Sequence, residues 1–222
     1  MAAACARAQR PVTDVTLLAV AKTFGPEAVR EAHDAGQRAF GENYIQEAVE
    51  KIALLRELPL QWHCIGPVQS NKTRLVATHF DWVHTIDRLK IAQRLAQQRP
   101  GELPPLQVCI QVNIDGGATK AGVTPKDVQA LAKEIQQLPR LKLRGLMTIP
   151  EPAASFAAQR AIHLRTRELF DQLNDAGLAL DTLSMGMTAD LEAAVDAGST
   201  LVRIGTAIFG GRVTSSRPAP LA

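Results

Sequence analysis

The chain has 222 residues, 46% of them hydrophobic, with 25 basic against 22 acidic side chains and a net charge of +3. That length and apolar content allow one full core or two small ones, and the basic residues are scattered rather than gathered into a stripe tracking a phosphate backbone, which argues against nucleic acid. No run approaches the roughly 20 apolar residues of a membrane span, the opening MAAACARAQR lacks a signal peptide's apolar stretch, and three cysteines (Cys5, Cys64, Cys109) without a C-x-x-C pair suit a reducing cytoplasm.

Residues 1–14, closing on Arg10-Pro11, are too brief for a strand–helix unit and are expected to form a helix fragment or an arm across the barrel bottom. Beyond them, short β-rich runs alternate with longer amphipathic ones. Strands are expected at 15–21 (VTLLAVA), 38–41 (RAFG), 61–66 (QWHCIG), 81–86 (DWVHTI), 106–114 (LQVCIQVNI), 142–149 (KLRGLMTI), 181–185 (DTLSM) and 201–204 (LVRI). Between them PEAVREAHDAG, IQEAVEKIALLREL, RLKIAQRLAQQR, PKDVQALAKEIQQL and AQRAIHLRTRELFDQLNDAG repeat apolar residues at helical spacing, and several end at Gly or Pro. Eight strands predict a single closed (β/α)8 barrel of the TIM type over 1–222, since an open doubly wound sheet more often stops at roughly five to seven. The polar end, residues 213–222, reads as a flexible tail.

In such a barrel, chemistry gathers at the carboxyl ends of the strands. Polar residues there are Lys22, Glu42 and Asn43, His63, Asn113 and Lys120, Thr148, the SMGM turn with Ser184 and Met185, and Arg203, Gly205 and Thr206. Lys22 ends the run LLAVA, where desolvation would lower an ammonium pKa and free its lone pair for an imine; a lysine snorkelling to solvent is the plain alternative. Ser184, Gly205 and Thr206 are residue types that let a phosphate approach backbone N–H groups, at the two strands where barrels commonly bind one. Arg203 either aims into the barrel mouth or pairs with Asp181 or Asp190. His63 beside Trp62 is as readily a core histidine, Asn43 and Asn113 as readily cap turns, and Met185 suits packing. The remaining histidines lack metal-ligand spacing, so no metal is expected.

Taken together, LLAVAKT, FGENYIQE, WHCIGPVQSNKTR, NIDGGATKAGV, LRGLMTIP, LSMGMTADLEAAVDAGST and LVRIGTAIFGGR resemble the pyridoxal phosphate homeostasis protein family from Val15 to Arg212. The resemblance implies a fold type III barrel like the N-terminal domain of alanine racemase, with pyridoxal 5'-phosphate (PLP) as a Schiff base on Lys22. It also implies Arg203 beside the pyridine nitrogen, Ser184, Gly205 and Thr206 at the phosphate, Asn43 and His63 along the ring or its hydroxyl, Met185 among the cofactor-binding residues, and Lys120 as a candidate secondary cofactor lysine. Many members carry a second lysine two positions after the first, where this chain has Phe24.

An arginine at the ring nitrogen can only donate, which leaves that nitrogen unprotonated and the electron sink weak. Alanine racemase shares this feature, but it adds a tyrosine from a further domain as the opposing acid/base. The only tyrosine here is Tyr44, at an expected helix start. The expectation is therefore a cytoplasmic carrier, a monomer or weak dimer, that delivers PLP to apo enzymes without turning over amino acids. A small racemase or lyase is the second reading, and an aldolase-like Schiff-base barrel the third.

Overall fold

A computed structural model describes residues 1–117 and 120–210 of the chain. Its strands are β1 (Thr16–Val20), β2 (Ala39–Glu42), β3 (Gln61–Cys64), β4 (Trp82–Ile86), β5 (Leu106–Gln111), β6 (Leu141–Met147), β7 (Thr182–Ser184) and β8 (Leu201–Ile204). Each pairs in parallel with the next, and β8 returns to β1 with Leu18 opposite Arg203, closing the barrel. The expected strand positions are met within a residue or two except in β5, which ends at Gln111 rather than 114. There Asn113 folds the chain back: its side-chain amide donates to the Gly117 carbonyl at 2.9 Å, and its Oδ1 accepts from the Gly116 N–H at 3.0 Å.

The helices are α1 (Ala2–Arg7), α2 (Pro26–Asp34), α3 (Ile45–Leu54), α4 (Thr73–His79), α5 (Leu89–Gln98), α6 (Val128–Gln136), α7 (Phe156–Asp175), α8 (Leu191–Asp196) and α9 (Thr206–Phe209). Local chemistry marks several starts. Pro26 occupies the first turn of α2, where its missing N–H costs nothing, and Ser155 Oγ accepts from the Ala158 N–H to cap α7. Their apolar stripes (Val29, Ala48, Val76, Ile91, Ile135, Phe170) pack on the outward strand residues Phe40, Trp62, Val83, Val108, Ile110 and Leu146 in one continuous core. Burial of each large apolar side chain contributes about 1.5–3 kcal/mol.

Of the two forms expected for residues 1–14, the chain takes the helix fragment rather than an arm laid across the barrel bottom. α1 lies on the barrel's side, placing Ala4 and Cys5 against Val195 of α8 and Val202 and Ile204 of β8, with Arg7 paired to Glu192. The physical reason is cover: the outward face of β8 is apolar, and α9, at four residues, is too short to shield it. Only the following residues reach the bottom, where Arg10 donates to the carbonyls of Val195 and Ser199 at 2.8 Å each. The expected tail over 213–222 lies outside the described residues.

Alternation along each strand sends every second side chain inward. Leu201 and Arg203, Trp82 and His84, and Gln61 and His63 thus share the interior. Two small apolar clusters fill it beside the polar groups: Leu18, Ala39 and Leu201 with Ile65, and Trp82, Cys109 and Met147.

Candidate functional site

Two cavities open at opposite ends of the barrel. One of about 470 Å³ lies at the strand amino ends, among Arg10, Gln61, His63, Trp82, Arg144 and Asp181. The other, about 450 Å³, lies at the carboxyl ends and is lined by Val20, Lys22, Asn43, Ile65, Ile149, Met187, Thr188, Ala189, Arg203, Gly205 and Thr206. The second holds the candidate site. It is within the ~300–1,000 Å³ range of small-molecule pockets, and its lining has two cations and no carboxylate, which favours an anionic ligand.

Lys22 sits on the loop just past β1, half-buried, with no carboxylate within salt-bridge distance among the described residues. The peptide before it is held from beneath. Lys51 of α3 donates to the Ala21 carbonyl at 2.8 Å and to Glu42 Oε1 at 2.6 Å, and both members of this ion pair are buried, Glu42 at 1% and Lys51 at 8% exposure. Burial raises the Glu42 carboxyl above its ordinary range, and the Lys51 charge offsets part of that rise. On the other side of the loop Phe24 stacks on Phe209 of α9, ring centroids 4.9 Å apart, and so fastens α9 beside the cavity.

Arg203 reaches the cavity from the barrel interior. Its Nη1 donates to the Ser184 carbonyl at 2.7 Å and to Ser184 Oγ at 2.8 Å, and its Nη2 donates to the Thr148 carbonyl at 2.8 Å. Three of its five N–H bonds are thereby committed to the barrel, leaving Nε and one Nη2 hydrogen for a ligand. Burial pushes the guanidinium down to about 10, so it stays charged at neutral pH. Asp181 and Asp190, the other partners considered for it, bind Arg144 and His163 instead.

Of the residues read as candidates, Lys22, Asn43, Arg203, Gly205 and Thr206 converge on this cavity. Ser184, Met185 and His63 do not. Ser184 and Met185 are fully buried, and His63 points into the barrel and towards the opposite cavity. Lys120 lies outside the lining, its ammonium 3.1 Å from Glu151 Oε1 and 3.4 Å from the Ile149 carbonyl. Tyr44 is 49% exposed at the start of α3 and does not line the cavity. Thr188 was missed from the sequence: Gly186, at a φ of +94°, turns the chain after β7 so that residues 187–189 face the cavity opposite Gly205 and Thr206. A hydroxyl following a glycine beside a strand end was the available signal.

Asn43 is seated by a close backbone approach. A Cβ on Gly66 would stand 2.3 Å from the Asn43 carbonyl oxygen and 2.8 Å from its Cα. Gly66→Ala is therefore expected to displace Asn43 and destabilise the barrel by about 1–3 kcal/mol, the usual scale of overpacking. Thermal unfolding and ligand titration check this together, since the displaced residue lines the cavity.

A lysine after the first strand and an arginine on the eighth, sharing one cavity of a closed parallel barrel, define a protein of the alanine racemase N-terminal class. The family model described as alanine racemase, N-terminal domain, matches residues 1–213. A Pseudomonas aeruginosa protein called pyridoxal phosphate homeostasis protein is 62% identical over 210 residues, covering 95% of this chain and 90% of that one. The Escherichia coli K12 protein of the same name is 53% identical over 220 residues, covering 98% and 94%. The structure of PipY from Synechococcus elongatus with PLP bound superposes with a TM-score of 0.82 at 40% identity, covering 94% of this chain and 98% of PipY. Clostridium difficile alanine racemase, at 15% identity and a TM-score of 0.74, shares the fold, and this chain spans 56% of it. The chain belongs to the pyridoxal phosphate homeostasis protein family.

Proposed function

We propose that this protein binds pyridoxal 5'-phosphate through the Lys22 amine and serves the cell's PLP supply as a carrier, without amino-acid turnover of its own. The observation that carries the reading is the convergence of Lys22, Arg203 and the Thr188 and Gly205–Thr206 loops on one cavity free of carboxylates. PLP supplies an aldehyde that condenses with an amine and an aromatic ring that draws electrons from it.

The residues fit that group. Thr188, Gly205 and Thr206 offer hydroxyls and uncrowded backbone to a phosphate, Lys22 offers the amine, and Asn43 offers an amide to the ring substituents. Arg203, with only donors, holds a ring nitrogen in its unprotonated form. Lys120, paired with Glu151 and outside the cavity lining, is not assigned to this primary site.

The carrier reading gains support from the lining itself. A racemase needs a second acid/base facing Lys22 across the substrate, and among the described lining residues Lys22 and Arg203 are the titratable ones, Arg203 fixed in its charged form. The relatives' name points the same way. Among the described residues no helix is long and apolar enough to cross a membrane, and Cys5, Cys64 and Cys109 are buried and unpaired, which suits the reducing cytoplasm. Delivery to apo PLP-dependent enzymes is the role proposed for this arrangement.

The test is to add PLP to the purified protein, reduce with borohydride and map the modified peptide. Expected is a visible-edge absorption band, trapped on the peptide containing Lys22, and amino-acid racemisation and lyase rates no greater than those of free PLP. Labelling elsewhere overturns the site, and turnover well above free PLP restores the racemase or lyase reading.

A further inference from the structure

Between the two cavities runs an unbroken file of polar side chains, buried except for Gln61 at its end. Arg203 of β8 donates to Ser184 Oγ of β7 at 2.8 Å, Ser184 Oγ lies 2.8 Å from His84 Nδ1 of β4, His84 Nε2 lies 2.8 Å from His63 Nδ1 of β3, and His63 Nε2 lies 2.9 Å from Gln61 Oε1 at the opposite mouth. We propose that Gln61, His63, His84 and Ser184 form a directional positioning relay that sets the orientation of Arg203 at the PLP cavity and couples it to the cavity at the other end of the barrel. The inference rests on the cofactor reading above for what Arg203 grips, but not for the relay itself.

Direction follows from donor and acceptor counting. A guanidinium can only donate, so Ser184 Oγ accepts from Arg203 and its own hydrogen goes to His84 Nδ1. That nitrogen must then be bare, which places the His84 proton on Nε2, where it donates to His63 Nδ1. The His63 proton is forced onto Nε2 in turn and donates to the Gln61 carbonyl oxygen. With the opposite polarity, Ser184 Oγ would receive two donors and its hydrogen would lose its partner, a costly outcome for a fully buried group.

The surroundings hold both rings neutral. Burial lowers His63 to about 3, and His84 falls well below its ordinary value through burial, with the neighbouring His63 and the Arg203 charge adding to it. Trp82 stacks on His63 at 5.2 Å between ring centroids, and Arg144 of β6 lies over the indole at 4.8 Å.

Gln61 is exposed at the lower mouth, remote from Lys22, so Gln61→Leu cuts the relay while leaving the PLP-contacting residues in place. In the cofactor-free native protein, nitrogen-15 spectra are expected to show His63 and His84 neutral and protonated on Nε2 near pH 7. In Gln61→Leu the ring-nitrogen signals of His84 and the Nε–H signal of Arg203 are expected to shift, with PLP affinity lower by about three- to tenfold, the scale of one weakened hydrogen bond. A native imidazole that is charged or protonated on Nδ1 overturns the proposal. So do unshifted His84 and Arg203 signals in the variant, or shifted signals with unchanged affinity, which would mean a file that never reaches the grip on PLP. If the native protein takes up no PLP, the cofactor reading falls separately, and the tautomers with the Arg203 signal still decide the relay.

Discussion

Lys22→Ala is expected to leave a folded barrel that no longer forms a borohydride-trapped adduct, with PLP affinity lower by at least about 100-fold, or ~2.8 kcal/mol at about 1.4 kcal/mol per decade. The fold should tolerate the change because Lys22 is a half-buried loop residue with no ion-pair partner among the described residues, and surface substitutions of that kind stay within about 0.5 kcal/mol. What remains in the variant is the non-covalent grip of Arg203, Asn43, Thr188 and the Gly205–Thr206 turn. Absorbance titration and equilibrium dialysis separate the two contributions, since only the first sees the covalent linkage. A full-strength adduct in the variant, on Lys120 for instance, would show that the amine of the site had been misplaced.

The barrel was legible because each strand is a short apolar run and each helix a longer stripe of different period, two signals that do not imitate one another. The site was legible only in part, and the candidates that stand outside the cavity lining share a cause. Ser184 and His63 close apolar runs as Lys22 does, but Lys22 lies past its strand, whereas Ser184 ends β7 and His63 lies within β3, both pointing inward. One residue of register decides between the barrel's interior and its mouth, and strand ends are read from sequence to no better than a few residues. Thr188 was lost for the complementary reason: its approach depends on a left-handed turn at Gly186, a dihedral that the sequence suggests only as a glycine. The Glu42–Lys51 pair, nine residues apart, gave no sign of its burial because each charge looks solvent-facing until the strand and helix are docked.

That pair underlies the largest expected loss of stability. Lys51→Met leaves the Glu42 carboxyl buried without its partner, and breaking one side of a buried ion pair costs about 3–5 kcal/mol. The pH dependence has a definite sign. Glu42 already titrates above its ordinary value, so it binds its proton more tightly folded than unfolded, and its contribution weakens as pH rises through that raised range. Removing Lys51 takes away the charge that lowers this value and raises it further. The variant's deficit is therefore expected to be larger at about pH 8 than at about pH 5.5, where protonation relieves the buried charge. Denaturant unfolding of both proteins at the two pH values measures it, and a deficit that grows on acidification would contradict the assignment. Adding Glu42→Leu to Lys51→Met should recover most of the loss, since replacing both partners with apolar groups removes the stranded charge. The double variant still lacks the hydrogen bond from Lys51 to the Ala21 carbonyl. Recovered stability combined with slower adduct formation at Lys22 would separate the pair's two roles, one in holding β2 to α3 and the other in fixing the peptide from which the reactive amine extends.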